Sequence, residues 1–445
     1  MRPWILGIVT MCMGLIKAHA EIKTTEKKIA VAVIVDAYSS ANQYAESFYR
    51  KNLACIHVQS TPLLLPVFQG SFQPNLYIDC QVYEGDFESL VKNLSKYDVR
   101  CVIAGVEPGV ELADRLSETL HLRTNGTELS AGRRNKYAMG KLVQAAGLPS
   151  PKFCKVSDWN TLTEWQTQEN TSYPLVLKPL DSGGTDGVYI CSNKDELLTA
   201  FHKVVGSINV LGHCNREILV QTFLKGDEYV VNSVSLDGEA YIVAILKSTK
   251  RFLPGHGFIY DREVMMEREG PTQKALASMH EKVLKALKID HGPAHGEYMM
   301  TEEGPILIEV ASRISGGIHK KANDLSVGCN QVDLTVDAYV DQKAFLEKTK
   351  APYQRKNHFY QVLLSTNKTG TLHGTDQFLE EIRKLPSYCD MKLKIKEGMI
   401  IHPTVDLISA LGSVFLVHEN QEVIELDYKK ICNLVDQLIP FQEEK

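Results

Sequence analysis

Residues 29–35 (Ile-Ala-Val-Ala-Val-Ile-Val) form a near-continuous apolar run, the pattern of a strand buried on both faces. A polar loop, residues 36–43, follows it, then a helical stretch to about Lys51 and a second strand at Ala54–Gln59. A further strand, Cys101–Ala104, leads through Glu107-Pro108-Gly109 into a helix over Val110–Leu120. Strands alternating with helices predict a parallel α/β sheet across residues 28–125. The loop after the first strand lacks G-x-G-x-x-G, so a dinucleotide fingerprint is not supported.

Downstream the pattern changes. A helix near Lys136–Ala146 stops at Gly147, with Pro149 and Pro151 as punctuation. From Tyr173 to Ala311, strands are joined by tight turns, and Asp237-Gly238 marks a hairpin. Within this stretch Leu276, Met279, Val283, Leu284 and Leu287 share one helical face. Strands, a helix and strands again read as an α+β unit, and the last hundred or so residues are mixed α/β with weaker patterning.

Length changes the picture only in outline: 445 residues, at about 150 per domain, suggest roughly three units. A net charge of −5 leaves no basic excess for a phosphate backbone, which argues against nucleic-acid binding. Apolar content of 44% with 23% charge is that of a folded globular chain, and no internal apolar run reaches the length of a membrane span.

Two features point to opposite compartments. Residues 1–20 carry Arg2, a largely apolar stretch from Trp4 to Ile16 and Ala18-His19-Ala20, the form of a secretory leader. A short extra apolar helix or a misassigned start fits the same residues. Beyond Cys12, nine cysteines (Cys55, Cys80, Cys101, Cys154, Cys191, Cys214, Cys329, Cys389 and Cys432) are scattered singly without C-x-x-C. That spacing suits buried reduced thiols, not disulfides or a zinc site. The leader favours secretion or a periplasm and the thiols a cytosol-like compartment, so localisation is open.

Three stretches carry chemistry. In Tyr173–Cys191 a strand containing Lys178 runs into DSGGTDG (181–187) and out into another strand, Val188–Cys191. Gly183, Gly184 and Gly187 let backbone N–H groups converge on phosphate oxygens, with Lys178 as a point charge, while Asp181, Ser182 and Asp186 read equally well as turn formers. No G-K-[ST] follows, so this is not a Walker A loop; a plain glycine-rich hairpin has the same composition. In His295–Gly317, two strands flank a turn at Glu302-Glu303-Gly304 and bring Glu297 and Glu309 together across a ladder. Strand alternation puts Glu309, Ala311 and Arg313 on one face. Paired carboxylates suit magnesium shared with nucleotide phosphates, and Arg313 suits a transferring phosphoryl group; a solvent-facing ion pair uses the same residues. In Leu219–Tyr229 a strand leads into Phe223-Leu224 and Gly226, a possible hinge for an adenine edge with Glu228 placed for ribose hydroxyls; a plain strand and turn has the same residues.

In this order the three stretches resemble the ATP-grasp superfamily over roughly residues 134–341. Residues 33–40 (VIVDAYSS), 105–114 (GVEPGVELAD), 133–151 (RRNKYAMGKLVQAAGLPSP) and 402–417 (HPTVDLISALGSVFLV) are similar to its dipeptide-forming L-amino-acid ligases and carnosine-synthase-like members. The resemblance implies an N-terminal parallel α/β (pre-ATP-grasp) domain over 28–125. It implies a two-subdomain ATP-grasp fold over 126–341 and a small C-terminal α+β subdomain over 350–445. It further implies ATP contacted by Lys136, Lys178, Ser182, Gly183 and Gly184, with adenine at Gln221 and Leu224 and ribose at Glu228. Magnesium, with manganese as a substitute, would sit on Glu297 and Glu309, and Arg313 on the γ-phosphate. His295, as a catalytic residue, and His256 are candidates for orienting substrate or assisting amine deprotonation, with Gly316 and Gly317 in the substrate pocket.

Two departures matter. Gln221 stands where the family often has glutamate, and Ala311 interrupts E-x-N-x-R, leaving Asn323 as a substitute ligand to test. The implied activity joins a carboxylate to an amine through an acyl-phosphate. Candidate lids are residues 181–187 and 250–260. The partners implied are small-molecule amino-acid or carboxylate and amine substrates, and a homodimer follows the family's habit. A carboxylase-like ATP-grasp reaction and a non-catalytic nucleotide-binding protein are the competing functions.

Overall fold

A computed structural model describes residues 28–253 and 257–438; residues 1–20, read as a leader from the sequence, and His256 lie outside the described residues. Strands β1 (Ala30–Val35), β2 (Ala54–Gln59), β3 (Asp79–Val82) and β4 (Asp98–Ala104) form a parallel sheet in the order β3-β2-β1-β4. The apolar run became the sheet's central strand because both its faces are covered. Ala32 and Ile34 pack against Tyr44, Phe48 and Val336, while Val31, Val33 and Val35 pack against Leu90, Leu94 and Leu116. Strand β3 was not visible in the pattern: Asp-Cys-Gln-Val is short, polar and on the sheet edge. The carboxyl ends of β1 and β4 deliver Ser40 and Glu107 to the cleft, where ligands of open α/β sheets bind.

A second, antiparallel sheet contains β5 (Phe153–Val156), β6 (Leu175–Pro179), β7 (Tyr189–Cys191) and β8 (Ile218–Thr222), ordered β5-β8-β6-β7. Helices Trp159–Gln168 and Lys194–Val204 pack Leu162, Leu197 and Phe201 against it.

The third sheet is the largest. It comprises β9 (Asp227–Leu236), β10 (Glu239–Leu253), β11 (Gly257–Met265), β12 (Gly292–Thr301), β13 (Gly304–Ala311) and β14 (His358–Leu364). The chain then makes a two-residue ladder, β15 (Gly370–Thr371) with β17 (Ile400–Ile401), and returns to the sheet as β16 (Tyr388–Leu393) and β18 (Gly412–His418). Eight strands are ordered β13-β12-β9-β10-β11-β14-β18-β16. Asp237-Gly238 forms the hairpin expected between β9 and β10, with both residues at positive φ. Helix Pro271–Ala286 covers the sheet with Leu276, Met279, Val283 and Leu284 buried, the face read from the sequence.

Apart from the two-residue β15–β17 ladder, the C-terminal strands do not build a sheet of their own. Strand β14 pairs with β11, so residues beyond 350 extend the central sheet while adding their own apolar core around Phe378, Ile382 and Ile424. Nine cysteines are free among the described residues, but they are not uniformly buried: Cys80, on the edge strand, and Cys214, in a loop, are exposed. Among the described residues, no helix is long and apolar enough to cross a membrane.

Candidate active site

The side chain of Asn135 caps helix Lys136–Ala145, accepting the N–H groups of Tyr137 and Ala138 at 3.0 and 3.1 Å. That cap sets Lys136 at the helix start, where its Nζ donates to the Ser182 carbonyl at 2.7 Å and lies 3.0 Å from Glu309 Oε1. Lys178, on β6, is 5% exposed and lines the same cavity, of ≈ 180 Å³. Burial, with the neighbouring Lys136 charge, pushes its ammonium down to about 8, against the pull of Glu309, Glu297 and Glu228. Gln221, Phe223 and Leu224 form one side of this cavity, and Val176, Ile190, Met299 and Ile308 give it apolar walls. A flat aromatic base between apolar walls, beside two lysines for phosphates, suits its shape and charge.

The connection from β6 to β7 is held by its two aspartates. Asp186 accepts from the Ser182 hydroxyl at 2.7 Å and from the Val210 N–H at 2.9 Å. Asp181 accepts from Asn209 at 3.1 Å and pairs with His213 at 2.7 Å. That hydrogen bond lowers the Asp181 pKa and raises that of His213. Gly184 and Gly187 both take φ of +66°, the left-handed region in which a side chain is strained. The Gly184 carbonyl accepts the Leu407 N–H at 3.3 Å, so the loop reaches across to the C-terminal segment.

Glu297 and Glu309 face each other in register between β12 and β13, as the turn between them predicted. Burial opposes ionisation of Glu297, but the His295 hydrogen bond and the charges of Lys250 and Arg313 outweigh it and hold its pKa low. Both nitrogens of His295 are engaged, Nδ1 with Asn232 Oδ1 at 2.8 Å and Nε2 with Glu297 Oε1 at 3.3 Å. The imidazole therefore orients Glu297. Glu228 meets protein donors on both oxygens, Lys250 Nζ at 2.6 Å and the Tyr260 hydroxyl.

Arg313 lies beyond β13, which ends at Ala311, so strand alternation does not place it. An N-terminal-domain residue does: Arg313 Nε donates to Glu107 Oε1 at 2.7 Å, Nη2 meets the same oxygen, and Nη1 donates to the Ile314 carbonyl at 2.7 Å. Burial opposes the Glu107 charge, yet Arg313 and Arg134 hold its carboxyl at about 2.

A larger cavity of ≈ 410 Å³ opens beside the first and is lined by Ser40, Glu107, His295, Arg313, Gly316 and Gly317. The two share Gly183, Gly184, Glu228, Tyr260, Glu297 and Leu407. Phe68, Val106, Val210 and Leu211 close it on one side as an apolar cluster joining the N-terminal domain to residues 206–213. The expected site residues within the described chain line one cavity or both, except Gly187 and Gly226. Nor does Asn323: it is 6% exposed inside helix Lys320–Val327 and donates to the His319 carbonyl at 3.0 Å. It is no replacement for the missing ligand at Ala311.

Sequence reasoning missed Glu107, Glu263, Lys392 and Lys394 as cavity residues. Glu107 stood in a turn motif 206 residues from its arginine. Burial, with Glu297 and Glu228 nearby, pushes the Glu263 carboxyl up to about 7.

Residues 171–321 match the ATP-grasp domain. Dapdiamide A synthase of Enterobacter agglomerans is 30% identical over 402 residues, 89% of this chain and 93% of that protein. The chain belongs to the ATP-grasp family. This ATP-grasp enzyme is an ATP-dependent carboxylate–amine ligase. An L-arginine-specific L-amino acid ligase of Bacillus subtilis is 22% identical to it over 306 residues, 67% of this chain and 70% of that protein. The crystal structure of an L-amino acid ligase from Bacillus licheniformis shares its fold, with a TM-score of 0.72 at 20% identity, covering 94% of this chain and all of that one. The full-length relationship to a synthase favours amide formation over the carboxylase-like and non-catalytic alternatives.

Proposed function

We propose that the enzyme activates the carboxylate of an amino-acid substrate as an acyl-phosphate and passes the acyl group to the amine of a second small molecule. The observation that carries this is the pair of cavities meeting at Glu297 and the glycine loop, with Arg313 on the far side. The smaller holds ATP, with adenine beside Gln221–Leu224 and phosphates at Lys136 and Lys178. A carboxylate oxygen entering from the larger cavity attacks the γ-phosphorus, the bond to the ADP oxygen breaks, and ADP departs. The amine lone pair then attacks the acyl carbon, the carbon–oxygen bond to phosphate breaks, and the amine sheds a proton.

Arg313, fixed by Glu107, neutralises the phosphoryl oxygens through both steps. The apolar contact of Leu211 with Phe68 and Val106 keeps water from the acyl-phosphate. The residues present fit magnesium: two carboxylates opposed across a ladder at the cavity junction suit a hard cation completed by phosphate oxygens. Glu297 and Glu309 would hold it, and when bound it supplies charge neutralisation to the phosphates. The relatives' names, a dapdiamide synthase and an L-amino acid ligase, support amino-acid-like substrates.

The test is isotopic. With substrate carboxylate labelled in both oxygens by oxygen-18, this route delivers one label to inorganic phosphate. Label appearing in AMP, or in neither product, would contradict it.

A further inference from the structure

We propose that Lys392 and Lys394 form a carboxylate subsite holding the free carboxylate of the attacking amine substrate; the inference rests on the ligase reading above. Strand β16 carries Lys392, and the Lys394 N–H continues its ladder by donating to the Leu411 carbonyl at 3.0 Å. Two residues apart on extended chain, the side chains share a face, and that face lines the larger cavity.

Three cationic groups around the cavities are matched, while Lys178 and Glu263 form no ion pair among the described residues. Arg313 is paired with Glu107, Lys250 with Glu228, and His295 with Glu297. Lys392 and Lys394 form no ion pair with a carboxylate among the described residues. Lys392 Nζ reaches only the Ile318 carbonyl at 3.3 Å, and Lys394 Nζ the carbonyls of Leu407 and Ile408 at 3.3 and 2.8 Å. Burial holds both ammonium groups below the ordinary lysine value, against the pull of Asp390 on Lys392 and of Asp406 on Lys394. Two like charges on one wall, each with donors to spare, call for an anion.

The chemistry says which anion. The first substrate's carboxylate is consumed at the junction beside Glu297 and Arg313. The second substrate, if an amino acid, keeps its carboxylate throughout, and that charge needs a site on another wall. Lys394 also holds the segment whose Leu407 N–H reaches the glycine loop, so an anion here is bound where the loop closes.

The experiment first finds an active pair by phosphate release across the twenty L-amino acids, then varies the acceptor. Acceptors are the amino acid, its α-amide and hydroxylamine, which bears no carboxylate. Lys392→Met/Lys394→Met is expected to cut the ratio of amino-acid to hydroxylamine kcat/KM by about tenfold or more, mostly through KM, because charged hydrogen bonds are lost. Lys392→Arg/Lys394→Arg is expected to restore most of it. In the wild type, L-asparagine outperforming L-isoasparagine assigns the lysines to an α-carboxylate, and the reverse order to a side-chain carboxylate. An unchanged ratio in the double variant, or amides serving as well as acids in the wild type, overturns the subsite. Wild-type silence with every acceptor, hydroxylamine included, overturns the ligase reading and the subsite with it.

Discussion

Replacing Lys178 with methionine separates what this residue does for ATP from what it costs the fold. Lys178 is 5% exposed, and its ammonium is pushed from 10.5 to about 8 by burial and by Lys136. That depression corresponds to about 3 kcal/mol of destabilisation of the folded protein at pH 7, using about 1.4 kcal/mol per tenfold. The sign follows from proton counts. Between about pH 8 and 10.5 the unfolded chain holds the proton that the folded protein has lost, so wild-type stability rises with pH across that window. Below about pH 8 the cost is fully present. Methionine keeps the stem's volume without the charge, so Lys178→Met should be more stable than wild type at pH 7, by up to about 3 kcal/mol. The advantage should vanish by about pH 10.5. ATP should bind the variant about 10- to 100-fold more weakly, the value of a charge-assisted contact to phosphate. Urea denaturation followed by circular dichroism at pH 7 and pH 10, with calorimetric ATP titration, reads both quantities. A variant less stable at pH 7, or a stability difference independent of pH, would refute the reasoning.

Other outcomes follow from the same geometry. Glu107→Gln should lower kcat on the order of tenfold to a hundredfold with little change in KM for ATP, because Arg313 loses its anchor; steady-state kinetics checks this. Glu309→Gln should lower kcat on the order of a hundredfold and weaken manganese bound with ATP, measured by electron paramagnetic resonance. The Asp181–His213 pair is charged below the raised His213 pKa and loses that charge as pH climbs through it. Hydrogen exchange in residues 181–187, corrected for intrinsic rates, should therefore be faster at pH 8 than at pH 6, and this dependence should disappear in His213→Asn.

What could be read from the chain was what is local. The β1 run, the Asp237-Gly238 hairpin and the Glu297–Glu309 pairing each follow from side-chain periodicity or turn chemistry within a few tens of residues. What escaped depends on distant contacts. Glu107 acquires meaning only when the parallel sheet brings the end of β4 to Arg313. Lys392 and Lys394 are exposed lysines, and they gain a place at the cavity only when β16 joins the far edge of the central sheet. Asp181 and Asp186, which read equally well as turn formers, anchor the glycine loop because Asn209, Val210 and His213 return beside it. Asn323 failed as a metal ligand because its helix directs the amide back onto the His319 carbonyl.

The most direct test is phosphate release by the protein with ATP and magnesium against a matrix of single and paired L-amino acids, with Glu309→Ala as the control. The structure predicts release that requires a carboxylate and an amine together, an amide product detected by mass, and loss of both in the control. Release that ignores the amine partner, or that survives Glu309→Ala, would contradict a ligase built on this site.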